Sequence, residues 1–161
     1  MLPVSQRAEI SPAMSSSLMV AVDNMDAIKA AVAAGADGIL YGGENFSGTA
    51  LQKGDYEAAW DYAKERDIRI DYNTPRIVHE HEQAALMRLF DGFGEKLPAA
   101  LHVHHIGIAF LARACMDVPL HADYSMISYN VSTLDFLHSY GFSEATLSPE
   151  LNGKQMERMV K

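Results

Sequence analysis

The chain has 161 residues, 48% hydrophobic and 21% charged, which is about one globular domain with a sizeable core. Its formal net charge of −8 argues against nucleic-acid binding spread over the whole surface. A single cysteine, Cys115, excludes an intrachain disulfide framework and an all-cysteine metal or iron–sulphur site, and points to a reducing, cytoplasmic setting.

Residues 1–17 contain Pro3, Pro12 and three consecutive serines and read as a lead-in or linker; the domain is expected over residues 18–161. No basic segment followed by a long apolar run marks a signal peptide, and no run of apolar residues is long enough to span a membrane. Residues 18–22 (LMVAV) are a short apolar run suited to a strand buried on both faces. Asp23 and Asn24 offer a cap for a helix running to about Ala34, and Gly35 stands where a left-handed C-terminal residue is wanted. The second strand is expected at residues 38–41. A loop follows, then a helix capped by Asp55 through about Arg66, and a third strand at residues 68–72.

The third helix is expected at residues 78–90 with Leu86, Leu89 and Phe90 on one face, and the fourth strand at residues 101–106. A short helix at residues 108–116 leads into a fifth strand at residues 120–124. Residues 130–140 form a fifth helix closed by Gly141. The sixth strand is expected at residues 145–148, and a last helix from Gly153 is expected to be still running at Lys161. Strict alternation of this kind implies a parallel sheet with crossover helices. No GxGxxG loop follows the first strand, and polar residues recur after strands two to six, which favours a TIM-like (β/α) barrel of the α/β class. Such a barrel needs eight units and the pattern supplies six, so it is incomplete, with edge strands to be covered by missing units or by oligomerisation.

The chemistry of such a fold belongs at the strand ends. The Gly42-Gly43-Glu44 loop could approach a ligand closely, with Glu44 as a positioned carboxylate, or could simply need glycine for its turn. After strand three, Asn73 and Arg76 are candidate binding residues; Arg76 suits a carboxylate or phosphate, against a solvated Arg at a helix start. In LHVHHIG, His102 and His104 share a strand face and His105 points the other way; hydrogen-bonded strand histidines are favoured over half a metal site. His79 and His81 should diverge on a helix and do not support a metal. In LHADYSMISYN, His121, Asp123 and Ser125 alternate if the strand runs that far. They make a poor Ser/His/Asp triad, and Asp123 paired with a strand-four histidine is the better acid/base unit. Glu150 is expected to share a cleft with Glu44. Phe90, Phe110, Phe136, Met87 and Cys115 read as packing residues.

Residues 30–48 (AAVAAGADGILYGGENFSG) resemble the early motif of the collagenase-like peptidases, peptidase family U32. YAKERDIRIDYNT, LHVHHIG, PLHADYSMISYN and TLSPEL are similar to further family segments in the same order. The resemblance covers residues 18–161 and implies the first six units of a TIM-like barrel in a peptidase, as a fragment of a longer enzyme. It implies Glu44, His121 and Glu150 as catalytic residues, and Gly42, Gly43, Asn73, Arg76, His104, His105 and Asp123 as substrate-binding residues, with peptide or RNA as substrate. Several relatives instead belong with iron–sulphur-dependent, oxygen-independent hydroxylation of RNA bases or a quinone precursor; Cys115 does not match their cluster ligands, so any cluster would come from sequence beyond this chain. A non-catalytic half-barrel that pairs with a partner is the third expectation. The chain departs from the family at His104-His105, at Ser125-Met126-Ile127 and at Pro149.

Overall fold

A computed structural model describes residues 17–43 and 53–160. Six strands alternate with six helices: β1 (Met19–Val22), α1 (Met25–Ala33), β2 (Gly38–Gly42), α2 (Lys53–Lys64), β3 (Arg69–Asn73), α3 (Gln83–Asp91), β4 (Leu101–Val103), α4 (Ile106–Cys115), β5 (Leu120–Ala122), α5 (Val131–Tyr140), β6 (Phe142–Ala145) and α6 (Gly153–Met159). All strand pairs are parallel, in the spatial order β1 to β6. This is an incomplete (β/α) barrel, with β1 and β6 as its edges among the described residues.

One strand parity faces the helices. Ile39, Tyr41, Ile70, Tyr72, Leu101, Val103, Leu120, Ala122 and Phe142 are buried in one cluster with Ile28, Tyr56, Ala59, Leu86, Phe90, Ile108 and Leu137 from the helices. Each Ile, Leu, Val or Phe side chain so buried contributes roughly 1.5–3 kcal/mol. An aromatic knot lies under β2 and β3: the Tyr56 ring sits 5.6 Å from Tyr72 and 4.4 Å from Phe93, and its hydroxyl donates to the Lys96 carbonyl at 2.9 Å. The opposite parity faces the barrel interior. It is apolar on β1 and β2 (Ala21, Leu40) and polar on β3 to β6.

Local chemistry sets the helix ends. The Asn24 side chain accepts from Ala27 N–H at 2.9 Å and starts α1; Asn130 does the same for α5 through Thr133 N–H. Gly35 (φ +93) and Gly141 (φ +103) take the left-handed conformation that ends these two helices. Asp55 lies inside the first turn of α2 rather than capping it. α3 starts at Gln83, after a 3₁₀ turn at Glu80–Glu82 that stacks the His79 and His81 rings at 5.8 Å, so these rings do not diverge. Phe110 and Phe136 are 67% and 54% exposed, so neither is core; Phe90 is.

The strands end earlier than their apolar patterns suggest. β4 stops at Val103, because His105 becomes the N-cap residue of α4. β5 stops at Ala122, because Asp123 caps a 3₁₀ turn at Tyr124–Met126; Ser125 is therefore not on an extended segment with His121. β6 begins at Phe142, three residues before the expected start, since Phe142 supplies the core contact and Ser148 falls beyond the strand. α6 ends at Met159.

Candidate active site

Parallel strands bring all their C-terminal ends to one edge, and the interior-facing residues there form two layers. The lower layer begins with Arg69 and Asp71 on β3. The guanidinium forks onto the carboxylate, with Nε 2.8 Å from Oδ1 and Nη2 2.9 Å from Oδ2. Asp71 Oδ2 also lies 3.0 Å from His102 Nε2 on β4. The His102 ring stacks on that of His121 on β5, with centroids 4.2 Å apart. His121 Nε2 is 2.9 Å from Thr146 Oγ1. Its Nδ1 is 3.2 Å from Glu144 Oε2 on β6, within ion-pair range but out of line for a hydrogen bond, so this buried nitrogen has no hydrogen-bond partner. A bulge between Leu120 and His121 skips Ser143, whose hydroxyl donates to the Leu120 carbonyl, and brings Glu144 opposite His121.

Electrostatics in this layer follow from burial and pairing. Burial pushes the Asp71 carboxyl up, but the hydrogen bonds from His102 and Arg69, with their charge, outweigh it and hold Asp71 below the usual carboxylate range. Burial, then the neighbouring His102, pushes His121 below the usual imidazole range; Glu144, Asp71 and Asp123 oppose this only in part.

The upper layer is built from residues two further along the same strands. Asn73 ends β3, and its Oδ1 lies 2.9 Å from His104 Nε2. His104 Nδ1 lies 3.0 Å from Asp123 Oδ1 and 3.1 Å from Ser125 Oγ. The Ser125 hydroxyl spends its proton on the His104 carbonyl at 2.9 Å, so its oxygen is left to accept from the ring. Two acceptors therefore place a proton on Nδ1. Nε2 either donates to Asn73 Oδ1 or, with the Asn73 amide turned over, accepts from its Nδ2. For Asp123, burial raises the carboxyl, yet the His104 hydrogen bond and the Ser125 N–H prevail and leave it below its ordinary value. This is not a Ser/His/Asp triad, because serine and aspartate share one ring nitrogen.

The remaining sequence-predicted residues scatter around these layers. Gly42 (φ +115) and Gly43 (φ +85) close the end of β2 over Asn73; a Cβ would come within 2.6 Å of the Asn73 carbonyl at Gly42 and within 2.7 Å of Asn73 Nδ2 at Gly43. The Gly43 N–H is spent on the Asn73 carbonyl at 2.7 Å, so it is not available to an anion. His105 leaves the site: half-buried, it lines a cavity of about 240 Å³ between α3 and α4 with Val78 and Phe110. Burial, then His104, pushes the His105 ring below the usual imidazole range. Exposed Arg76 lies 5.7 Å from the centre of the Tyr124 ring. Exposed Glu150 accepts from the Tyr129 hydroxyl. Glu44 lies outside the described residues, so the shared cleft expected for Glu44 and Glu150 does too.

Sequence reasoning missed Arg69, Asp71, Ser125's place beside His104, Glu144 and Thr146. The signal was the period of two: Asp71-x-Asn73, His102-x-His104, His121-x-Asp123 and Glu144-x-Thr146. No group of three or more His, Cys, Asp or Glu among the described residues is arranged to hold a metal ion. Cys115 sits half-buried on α4, its thiol pushed up by burial and then by Asp91. One such thiol does not fit an iron–sulphur cluster.

The sequence profile of peptidase family U32 matches residues 23–161. The chain belongs to peptidase family U32. Among solved structures, this U32 chain is similar to the U32 peptidase Mk0906, with a TM-score of 0.72 at 12% identity, over 98% of this chain and 69% of that one. It is also similar to a Schiff base-forming fructose-1,6-bisphosphate aldolase, with a TM-score of 0.50 at 11% identity, over 75% of this chain and 54% of that one. At these identities the likeness concerns the fold. No functionally curated protein matches the sequence. No helix among the described residues is long and apolar enough to cross a membrane.

Proposed function

We propose that this U32 chain carries the acid/base face of a hydrolase that acts on peptide bonds, with His104 as the proton-transfer group and Asp123 as the residue that orients it. The supporting observation is the environment of His104: Asp123 at 3.0 Å and Ser125 at 3.1 Å from Nδ1, and Asn73 at 2.9 Å from Nε2, all at the C-terminal edge of the sheet. With Nδ1–H engaged, Nε2 is the nitrogen that takes a proton from an attacking water once a substrate displaces Asn73. The Asp123 carboxylate stabilises the imidazolium that results and keeps the ring in this tautomer. His121, its ring held below the usual imidazole range by burial and its Nδ1 without a hydrogen bond, serves as a second proton acceptor one layer below. Glu150 remains a candidate carboxylate of this mouth, and Glu44 a candidate by its sequence alone.

The test replaces His104 by Gln and Asp123 by Asn and follows hydrolysis of gelatin and of quenched fluorescent peptides. Each substitution should lower kcat about 10²- to 10⁴-fold with native circular dichroism retained. Full turnover in both variants, or no hydrolysis by the unaltered protein, would overturn the proposal.

A further inference from the structure

The loops at the C-terminal ends of the strands are poor in cations. In the described loops that follow the six strands, which are residues 23–24, 43, 74–82, 104–105, 123–130 and 146–152, Arg76 is the only arginine or lysine. The same loops hold Asp23, Glu80, Glu82, Asp123 and Glu150. Among these loop residues Arg76 is the one that offers an anionic ligand a permanent cationic side chain.

The placement of Arg76 adds a second observation. It follows β3, whereas Tyr124 follows β5, so their contact at 5.7 Å crosses the end of β4, where His104 lies. Tyr124 stands between Asp123 and Ser125, the two residues that hold His104 Nδ1. An aromatic ring attracts a guanidinium through its π face and leaves the N–H donors free. Among the described residues, no carboxylate lies within ion-pair distance of Arg76, while Arg66, Arg69 and Arg113 each have one. Among the described residues, the guanidinium therefore rests against the Tyr124 ring without an ion-pair partner.

We propose that Arg76, held across the mouth by Tyr124, is a carboxylate subsite that selects peptides bearing an α-carboxylate or an acidic side chain next to the bond presented to His104. This rests on the peptide reading given above for its substrate class. A bidentate guanidinium–carboxylate contact sets register as well as affinity.

The test measures binding rather than turnover. Three probes are titrated by calorimetry and NMR: an acetylated tripeptide with a free C-terminus, its C-terminal amide, and the amide with an internal glutamate. One or both carboxylate-bearing probes should bind about tenfold or more tighter than the neutral amide. Arg76→Gln should remove that difference, and Arg76→Lys should retain part of it. The glutamate-bearing amide tells a side-chain carboxylate from a terminal one. Equal affinities, a preference that survives in Arg76→Gln, or no measurable binding at millimolar peptide would overturn the subsite. If the preference is lost while His104-dependent hydrolysis persists, only the subsite fails; if the preference stands without hydrolysis, only the hydrolase reading fails.

Discussion

Asp71→Asn tests whether the lower layer stabilises the barrel. The substitution keeps side-chain size and removes the charge that receives Arg69 and His102. Asp71 is 1% exposed, and its partners differ: the Arg69 side chain is 43% exposed and can rehydrate, whereas the His102 side chain is 10% exposed and cannot. Removing one member of a fully buried pair costs about 3–5 kcal/mol. Because Arg69 can turn to water, a loss of about 2–3 kcal/mol is expected, most of it from the His102 side. The assay is urea unfolding followed by fluorescence of Trp60, the single tryptophan, whose Nε1 donates to the Leu97 carbonyl at 3.0 Å. The acid limb gives an independent reading. A carboxyl lowered in the folded state contributes stability that is fully present above its unfolded pKa of about 3.9 and is lost as pH falls through the folded value. Asp71→Asn should therefore flatten the decline in that window. A change below about 0.5 kcal/mol together with an unaltered acid limb would refute the reasoning.

His121 predicts the opposite end of the acidic range. Its folded pKa is lowered by burial and by His102, so the unfolded chain binds more protons below about pH 6.5, and stability should fall as pH drops from there toward the folded value. His121→Asn should flatten part of that slope in urea midpoints measured at several pH values, with His105 accounting for a remainder; an identical slope counts against the assignment. Ile127 is a β-branched residue in the left-handed region (φ 56, ψ 58) and is 61% exposed. The conformation costs roughly 1–2 kcal/mol for such a residue and much less for Asn. Ile127→Asn should raise stability by about 1 kcal/mol in thermal unfolding, because little burial is given up; a lower Tm would show that Ile127 holds the loop by packing.

The alternation of elements was legible because apolar runs, Asn caps and Gly stops are local signals: Asn24, Gly35, Asn130 and Gly141 all act where their chemistry suggests. Strand ends were not. His104, His105 and Asp123 look like strand continuations until a helix start or a 3₁₀ turn claims the backbone, and that competition is settled by packing. The pairing of Asp123 with a strand-four histidine was readable from residue types alone. Asp71 was hidden inside the run IRIDY, where only the bidentate Arg69 and His102 make a buried carboxylate tolerable. Glu144 was hidden by a misplaced sixth strand and by a bulge that no sequence motif announces.

The two polar layers are coupled through one stagger. In the β3–β4 ladder, Asn73 is the register partner of His102, yet Asp71 is the residue that bonds His102 and Asn73 is the one that bonds His104. Both contacts cross the pair with the same two-residue offset, as a tilted barrel strand requires. Across β4 and β5 the offset vanishes: His102 stacks on its register partner His121, and His104 meets Asp123, two residues beyond each. The β3–β4 ladder comprises only two register pairs, so backbone pairing alone pins this register weakly. Asp71–His102 therefore acts as a side-chain tie that fixes β3 against β4, and any slip that breaks it also moves Asn73 away from His104. The lower layer keeps the upper one aligned, which is why a buried carboxylate remote from the mouth bears on the geometry of His104.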